Sequence, residues 1–231
     1  MKRTAPHYGL QGPDALLVSL VLLLAGAAGV LAQTAPGFMS RFLLVLGALG
    51  VSILSVASSH TYRTRLRDHI LNLYPLKGSL RTLDIGTGRG LLAIGLAKLG
   101  CHAVGLDIWS SMDLLFNRPS ATLLNADLER ATISLITGDC STLPFKERSF
   151  DLVLTCDMVH NLRRREKARE LLSEMHRVLK EKGKVVVGDL NPFLGPAWSR
   201  RRWMYELSRT GFHSVAIGRF GLTTIMTGEK P

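Results

Sequence analysis

Cysteine is scarce in this chain. There are three, Cys101, Cys140 and Cys156, and no two stand at CxxC spacing. That absence argues against a zinc site and a disulfide framework, and leaves reduced thiols as the simplest state. Internal repeats and low-complexity tracts are also missing, so a repeat architecture is not expected. Acidic residues are in deficit: 18 Asp and Glu face 29 Lys and Arg, giving a net charge of +11. A surplus of that size suits an anionic surface, either lipid headgroups or nucleic acid. The arginines cluster at Arg63, Arg65 and Arg67, at Arg163, Arg164 and Arg165 with Lys167, and at Arg200, Arg201 and Arg202.

Charge is missing altogether from two early stretches, 15–32 (ALLVSLVLLLAGAAGVLA) and 42–57 (FLLVLGALGVSILSVA). As helices each would reach roughly 24–27 Å, near the lower limit for a bilayer core. Pro36 and Gly37 lie between them and disfavour one continuous helix, so a helical hairpin is expected. Ala25 with Gly29, and Ala48 with Ser52, would let the two backbones approach closely. Lys2 and Arg3 precede the first stretch and Arg63, Arg65 and Arg67 follow the second, while the turn holds only Arg41. The excess of basic flanks predicts that both ends, and the domain that follows, face the cytoplasm. Beside such an anchor lipid is the simpler anionic partner, and nucleic acid is not expected. Two alternatives remain open: a signal peptide ending near Val30-Leu31-Ala32, which leaves the second stretch unexplained, and a soluble buried hairpin.

From Thr61 to Tyr74, apolar Tyr62, Leu66, Ile70 and Leu73 recur at helical intervals with arginines between them. This predicts an amphipathic connecting helix ended by Pro75 and Gly78. The expected organisation is therefore an anchor over 1–60, a connector over 61–79 and a globular domain over 80–231. In that domain short apolar runs at Arg81–Ile85, Ala103–Leu106, Thr132–Ile136, Asp151–Thr155, Lys184–Val187, Ser214–Ile217 and Thr223–Met226 read as strands. They alternate with helical patterns at Leu91–Lys98, Ser111–Ala126, Arg164–Leu179 and Trp198–Thr210. Alternation of this kind predicts a doubly wound α/β sheet of seven strands with helices on both faces. The short turn around Gly218–Gly221 makes the last two strands an antiparallel hairpin.

Ligands of such sheets bind beyond the carboxyl ends of the strands, and four groups of residues fall there. The first is LDIGTGRG, with Asp84, Gly86, Thr87, Gly88 and Gly90 in a strand–turn–helix setting. Glycine permits positive φ and close approach of a ligand to the backbone. Gly88, Gly90 and Ala93 also fit a dinucleotide fingerprint, so this group alone is ambiguous. Asp84 beside the turn would repel a pyrophosphate and favour a cationic amino-acid tail. Asp107 follows 23 residues later, placed to accept ribose hydroxyls, with Ile108 beside it for an adenine face. Gly138, Asp139 and Cys140 end the third strand, where a carboxylate would accept from an adenine amino group. The fourth group is Phe150-Asp151 leading into Cys156, Asp157 and His160.

This ordered set resembles the class I S-adenosylmethionine-dependent methyltransferases, particularly the small-molecule branch containing quinone and sterol methyltransferases. The resemblance runs from Leu80 to about Met226. It implies a Rossmann-like fold and S-adenosylmethionine as cofactor, held by Asp84, Gly86, Thr87, Gly88, Gly90, Asp107, Ile108, Gly138, Asp139, Cys140 and Cys156. Glu174 and Arg177-Val178-Leu179-Lys180 with Gly183 resemble the helix and turn leading into the family's fifth strand. Asp151 is expected to orient backbone, Glu174 to be a solvated or structural helix residue, and neither Cys140 nor Cys156 to act as a nucleophile.

Further absences narrow the chemistry. No Asn/Asp-Pro-Pro-aromatic motif follows the fourth strand, where Cys156-Asp157-Met158-Val159 stands, so adenine N6 methylation is not expected. No adjacent Asp-Asn pair follows the fifth strand, where Asp189-Leu190-Asn191 stands, so no metal site is expected. Where an acceptor must lose a proton, His160 is the first candidate base and Asp157 the second. The expected acceptor is a small lipophilic molecule or a lipid, met at the membrane. A membrane-bound NAD-dependent oxidoreductase and a non-catalytic cofactor-binding module are the alternatives.

Overall fold

A computed structural model describes residues 60–76, 78–110, 117–162, 164–190 and 199–231, together with positions 6, 8 and 47. The stretches 15–32 and 42–57 of the expected hairpin lie outside them, apart from Gly47. Among the described residues no helix is long and apolar enough to cross a membrane. The chain divides into two compact units, Leu10–Arg65 and a larger one made of Met1–Gly9 with Leu66–Pro231. Of the smaller, the described part is the helical stretch 60–65 and Gly47.

The larger unit is built on seven strands: β1 (Arg81–Ile85), β2 (His102–Asp107), β3 (Ser134–Thr137), β4 (Phe150–Cys156), β5 (Leu179–Leu190), β6 (His213–Phe220) and β7 (Thr223–Glu229). Their order in the sheet is β3-β2-β1-β4-β5-β7-β6. The pairs from β3 to β5 are all parallel, while β7 runs antiparallel to both β5 and β6. Chain order therefore grows one way from β1 to β3 and the other way from β4. The switch point thus lies between β1 and β4, and the crevice in which such sheets bind ligands falls outside their carboxyl ends. The expected terminal hairpin is present, with β6 on the outside and β7 seated against β5.

Among the described residues there are five helices: α1 (helical over 60–71), α2 (Leu91–Lys98), α3 (Pro119–Leu128), α4 (Arg165–Val178) and α5 (Arg200–Thr210). Leu83 and Ile85 of β1, Val153 of β4, and Val185 and Val187 of β5 share one core cluster with α4 and α5. Alternate residues of a strand point to one face, so those helices cover that face. Ala168, Leu171, Leu172, Met175 and Val178 are the buried stripe of α4. Truncating a fully buried member such as Met175 to alanine removes about 2–5 kcal/mol of stability. The opposite face meets α1. A Cβ at Gly188 would lie 3.7 Å from Ile70 Cδ1, and one at Gly95 of α2 only 2.6 Å from Leu71 Cδ1. Gly95 thus lets α1 pack closely on α2.

Two expected boundaries move. Of the helix expected over Ser111–Ala126, residues 111–116 lie outside the described residues; the described helix begins at Pro119, with Arg118 extended at φ −159° and ψ 149°. Proline lacks an N–H and pushes the preceding residue out of the helical region, so it sets a start. Strand β5 is longer than Lys184–Val187 and begins where α4 ends, at Leu179. It is interrupted near Lys182, at φ 61°, and its register with β4 shifts between Phe150 and Leu152.

Candidate active site

The turn after β1 is held open by its own glycines. Gly86, Gly88 and Gly90 have φ of 72°, 50° and 84°, and Gly90 caps the start of α2 in the left-handed region. A Cβ at Gly86 would sit 2.5 Å from Met158 Cγ, and one at Gly90 2.8 Å from Thr122 Cγ2. Neither position accepts a side chain without displacement.

Asp84 braces this turn from beneath. Its Oδ2 accepts from the Thr87 hydroxyl at 2.8 Å and the Ala93 amide at 3.1 Å. Burial pushes its carboxyl up to about 7; the two hydrogen bonds pull the other way, and nearby Asp107 adds to the rise. Asp107, also buried, joins the turn to the segment after β2. Its Oδ2 accepts from the Gly88 amide at 2.8 Å, and its Oδ1 from the Trp109 amide at 2.7 Å and Asn117 Nδ2 at 3.1 Å. A carboxylate offers about four acceptor positions, so these three bonds leave capacity for a further donor. Ile108 next to it is 57% exposed, an apolar surface at the crevice end of β2. Trp109 takes φ 60° and donates from its indole to Thr137 Oγ1 at 3.0 Å, tying β2 to β3.

At the end of β3, the Gly138 amide donates to the Asp107 carbonyl at 3.1 Å. Asp139 is exposed and accepts from the Ser141 amide and hydroxyl, both at 2.8 Å; those bonds hold its carboxyl below the usual range. Cys140 is buried, and its thiol is pushed up to about 12 by burial and by the adjacent Asp139 charge. It is no nucleophile at neutral pH. The Leu143–Phe145 segment that follows is lashed to α4. Glu174 accepts from the Leu143 amide at 2.7 Å and pairs with Arg177, which donates to the carbonyls of Leu143 and Phe145. Glu174 is structural. Asp151 likewise orients backbone, accepting from the Arg81 amide at 2.9 Å and pairing with Lys180 at 2.8 Å.

Beyond β4 the chain turns sharply. Asp157 takes φ 51° and donates its amide to the Gly188 carbonyl at 2.9 Å. A short 3-10 turn, Val159–Asn161, carries His160. Its Nδ1 lies 2.7 Å from Oδ1 of Asp189, which is 1% exposed near the end of β5. Cys156 stands opposite Gly188, where a Cβ would be 2.8 Å from its Sγ. All the site residues expected from sequence thus lie at the carboxyl ends of β1 to β4 or in the segments that follow them. Reading the sequence missed Met158, Trp109, Asn117 and above all Asp189. The Asp189 position was read only for a metal pair; its signal was an acidic residue just beyond an apolar strand pattern.

The basic clusters differ in exposure: Arg65, Arg164, Arg165, Lys167 and Arg201 are exposed. Arg63 is buried. Arg202, Arg169 and Arg209 gather around the buried carboxylate of Glu206, and Lys167 pairs with Glu170. Arg163 lies outside the described residues.

Residues 83–187 match the methyltransferase domain family. The match takes in a little under half of the chain. It includes Asp84, the glycine turn, Asp107, Asp139 and the 3-10 turn, the residues whose resemblance implies S-adenosylmethionine as cofactor. Among curated relatives, the chain is 34% identical over 142 residues to a demethylmenaquinone methyltransferase of Thermotoga maritima, covering 61% of this chain and 55% of that protein. A sterol 4-C-methyltransferase of Caenorhabditis elegans is 27% identical over 125 residues, 54% of this chain and 35% of the relative. The chain thus spans about half or less of the length of these relatives. A solved phosphoethanolamine N-methyltransferase 2 of Haemonchus contortus, in complex with S-adenosylmethionine, superposes with a TM-score of 0.59 at 18% identity, over 72% of this chain and 52% of that one. It shares the fold.

The residues present suit the cofactor. Asp107 retains acceptor capacity, Ile108 offers an exposed apolar surface, and the buried Asn117 Oδ1 beside Asp107 has no hydrogen-bond partner, while Met158 packs on Gly86.

Proposed function

We propose that this chain is an S-adenosylmethionine-dependent methyltransferase acting on a small, lipophilic acceptor at a membrane. Residues 1–60 are its anchor, through a hairpin of 15–32 and 42–57. Residues 61–79 are the connector, and 80–231 the catalytic domain on the cytoplasmic side. The observation that carries the enzymatic part is the bracing of one positive-φ glycine turn by Asp84 and Asp107, with Asp139 following β3 at the same end of the sheet. The lipophilic acceptor is supported by the two uncharged stretches and by relatives named for demethylmenaquinone and sterol.

In this reading Gly86, Thr87, Gly88 and Gly90 line the amino-acid tail of the cofactor, with Asp84 supplying negative charge beneath it. Asp107 accepts from the ribose, Ile108 packs on the base, and Gly138, Asp139 and Cys140 border its edge, with Cys156 on the wall facing β5. When bound, the cofactor supplies a methyl group on a positively charged sulfur. The protein's share is largely alignment and exclusion of water, which can supply much of a transfer's rate. His160 takes the acceptor's proton, and Asp157 shapes the same wall.

The test is to incubate the full chain with methyl-labelled cofactor and a membrane extract, then separate lipid from aqueous products. Label is expected in the lipid fraction. Label confined to water-soluble products contradicts the lipophilic acceptor, and no label despite cofactor binding favours a non-catalytic module.

A further inference from the structure

We infer that Asp189 is a positioning residue for His160, and that the pair commits the enzyme to acceptors whose reacting atom gives up a proton during transfer. The inference rests on the methyltransferase reading above and deepens it. The two side chains come from different strand ends, 29 positions apart in sequence, and meet at 2.7 Å. Asp189 is 1% exposed, while the His160 side chain is 15% exposed. Placing a carboxylate in so dry a position costs free energy unless it is bonded, so a bond to imidazole there is a specific arrangement. A carboxylate on Nδ1 requires that nitrogen to carry the hydrogen, which makes Nε2 the basic nitrogen of the neutral ring. The same contact stabilises the imidazolium formed when Nε2 takes a proton.

The placement agrees with that role. His160 sits immediately beyond β4 and Asp189 near the end of β5, one strand further from β1 than β4 is. Met158, two residues before His160, covers Gly86. The dyad therefore borders the methyl-donor side of the crevice, where an acceptor must lie. Asp157 is the other titratable group on that turn.

The step balances without a further reagent. The acceptor's O–H or activated C–H bond breaks and its proton passes to Nε2. The freed electron pair forms the new bond to carbon, and the old carbon–sulfur pair stays on sulfur as a neutral thioether. Water then takes the proton from the ring. An acceptor already ionised, or a neutral amine attacking through its lone pair, needs no base in the bond-forming step. Phenols, enols and hydroquinones are the matching class.

Two measurements on the full chain test this. In 15N spectra of histidine-labelled protein at pH 8, with the His160→Asn variant assigning the resonance, His160 is expected as the Nδ1–H tautomer. Asp189→Asn is expected to shift it toward Nε2–H. A wild-type ring that is Nε2–H or doubly protonated overturns the inference. In the second, methyl transfer is followed to 1,4-naphthohydroquinones of graded acidity. Asp189→Asn should lower kcat by about a hundredfold or more on the least acidic member. The loss should shrink toward the most acidic member, with KM and S-adenosylhomocysteine affinity unchanged, and Asp189→Glu should restore part of the rate. Loss of kcat independent of acceptor acidity, or no loss, overturns the proposal. So does a wild-type chain that binds S-adenosylhomocysteine yet methylates none of the series. A chain that binds no S-adenosylhomocysteine overturns the underlying reading instead, and the tautomer measurement, which needs no activity, tells the two failures apart.

Discussion

The two sides of the crevice use carboxylates differently. On the β1–β3 side, Asp84, Asp107 and Asp139 accept from hydroxyls or amides close to them in the chain or on the adjoining turn, so each one builds the loop it stands in. On the β4–β5 side, Asp189 reaches across to a histidine and sets the state of one ring. In the proposed reading the first arrangement shapes a binding surface, and the second prepares a reaction. Within the first side burial divides the group again. Asp84, sealed in, is pushed up to about 7, while exposed Asp139 is held low by Ser141.

The sharpest way to break the contrast is Asp107→Ala. It strands the Gly88 and Trp109 amides and Asn117, so S-adenosylhomocysteine affinity should fall by more than about a hundredfold, with a lower Tm. Titration calorimetry and a thermal melt read both. A variant that still binds would mean that the glycine turn holds its shape alone.

Asp84 comes next, through pH. Its carboxyl stands at about 7 folded against 3.8 unfolded, so between those values the folded chain holds more protons than the unfolded one. Stability contributed by this group is full below about 4 and is lost as pH rises through about 7, by up to about 4 kcal/mol. Asp84→Asn should flatten that slope in melts from pH 5 to 8, while weakening cofactor affinity by roughly tenfold. A cation bound above it would lower the carboxyl's pKa, so wild-type affinity should rise with pH through the same range.

Smaller effects follow at the segment after β3. Arg177→Leu unties the Leu143 and Phe145 carbonyls and should cost about 1–2 kcal/mol by denaturant titration, leaving kcat nearly unchanged. Iodoacetamide at pH 8 should leave Cys140 unmodified in the folded chain, because its thiol is buried and raised to about 12. Rapid labelling of Cys140 would contradict that burial.

The difference between the two sides also explains what the sequence made legible. Asp84 and the glycines announce their turn within seven residues, and Asp107 and Asp139 end apolar strands, so local pattern located them. The seven strands and the terminal hairpin were legible in the same way. The partner of His160 was not, because pairing of strand ends depends on register, here Cys156 opposite Gly188. The start of α3 was misplaced because the apolar pattern of 111–126 runs through Pro119, whose ring chemistry overrides it. The gathering of Arg169, Arg202 and Arg209 around the buried carboxylate of Glu206 was not legible either, because it is a tertiary fact.

The central claim is that the glycine turn with its three carboxylates receives a positively charged nucleoside. Isothermal titration of the full chain with S-adenosylhomocysteine, and separately with NAD, tests it most directly. The account predicts saturable one-to-one binding of the first and none of the second. Binding of NAD without S-adenosylhomocysteine would contradict it.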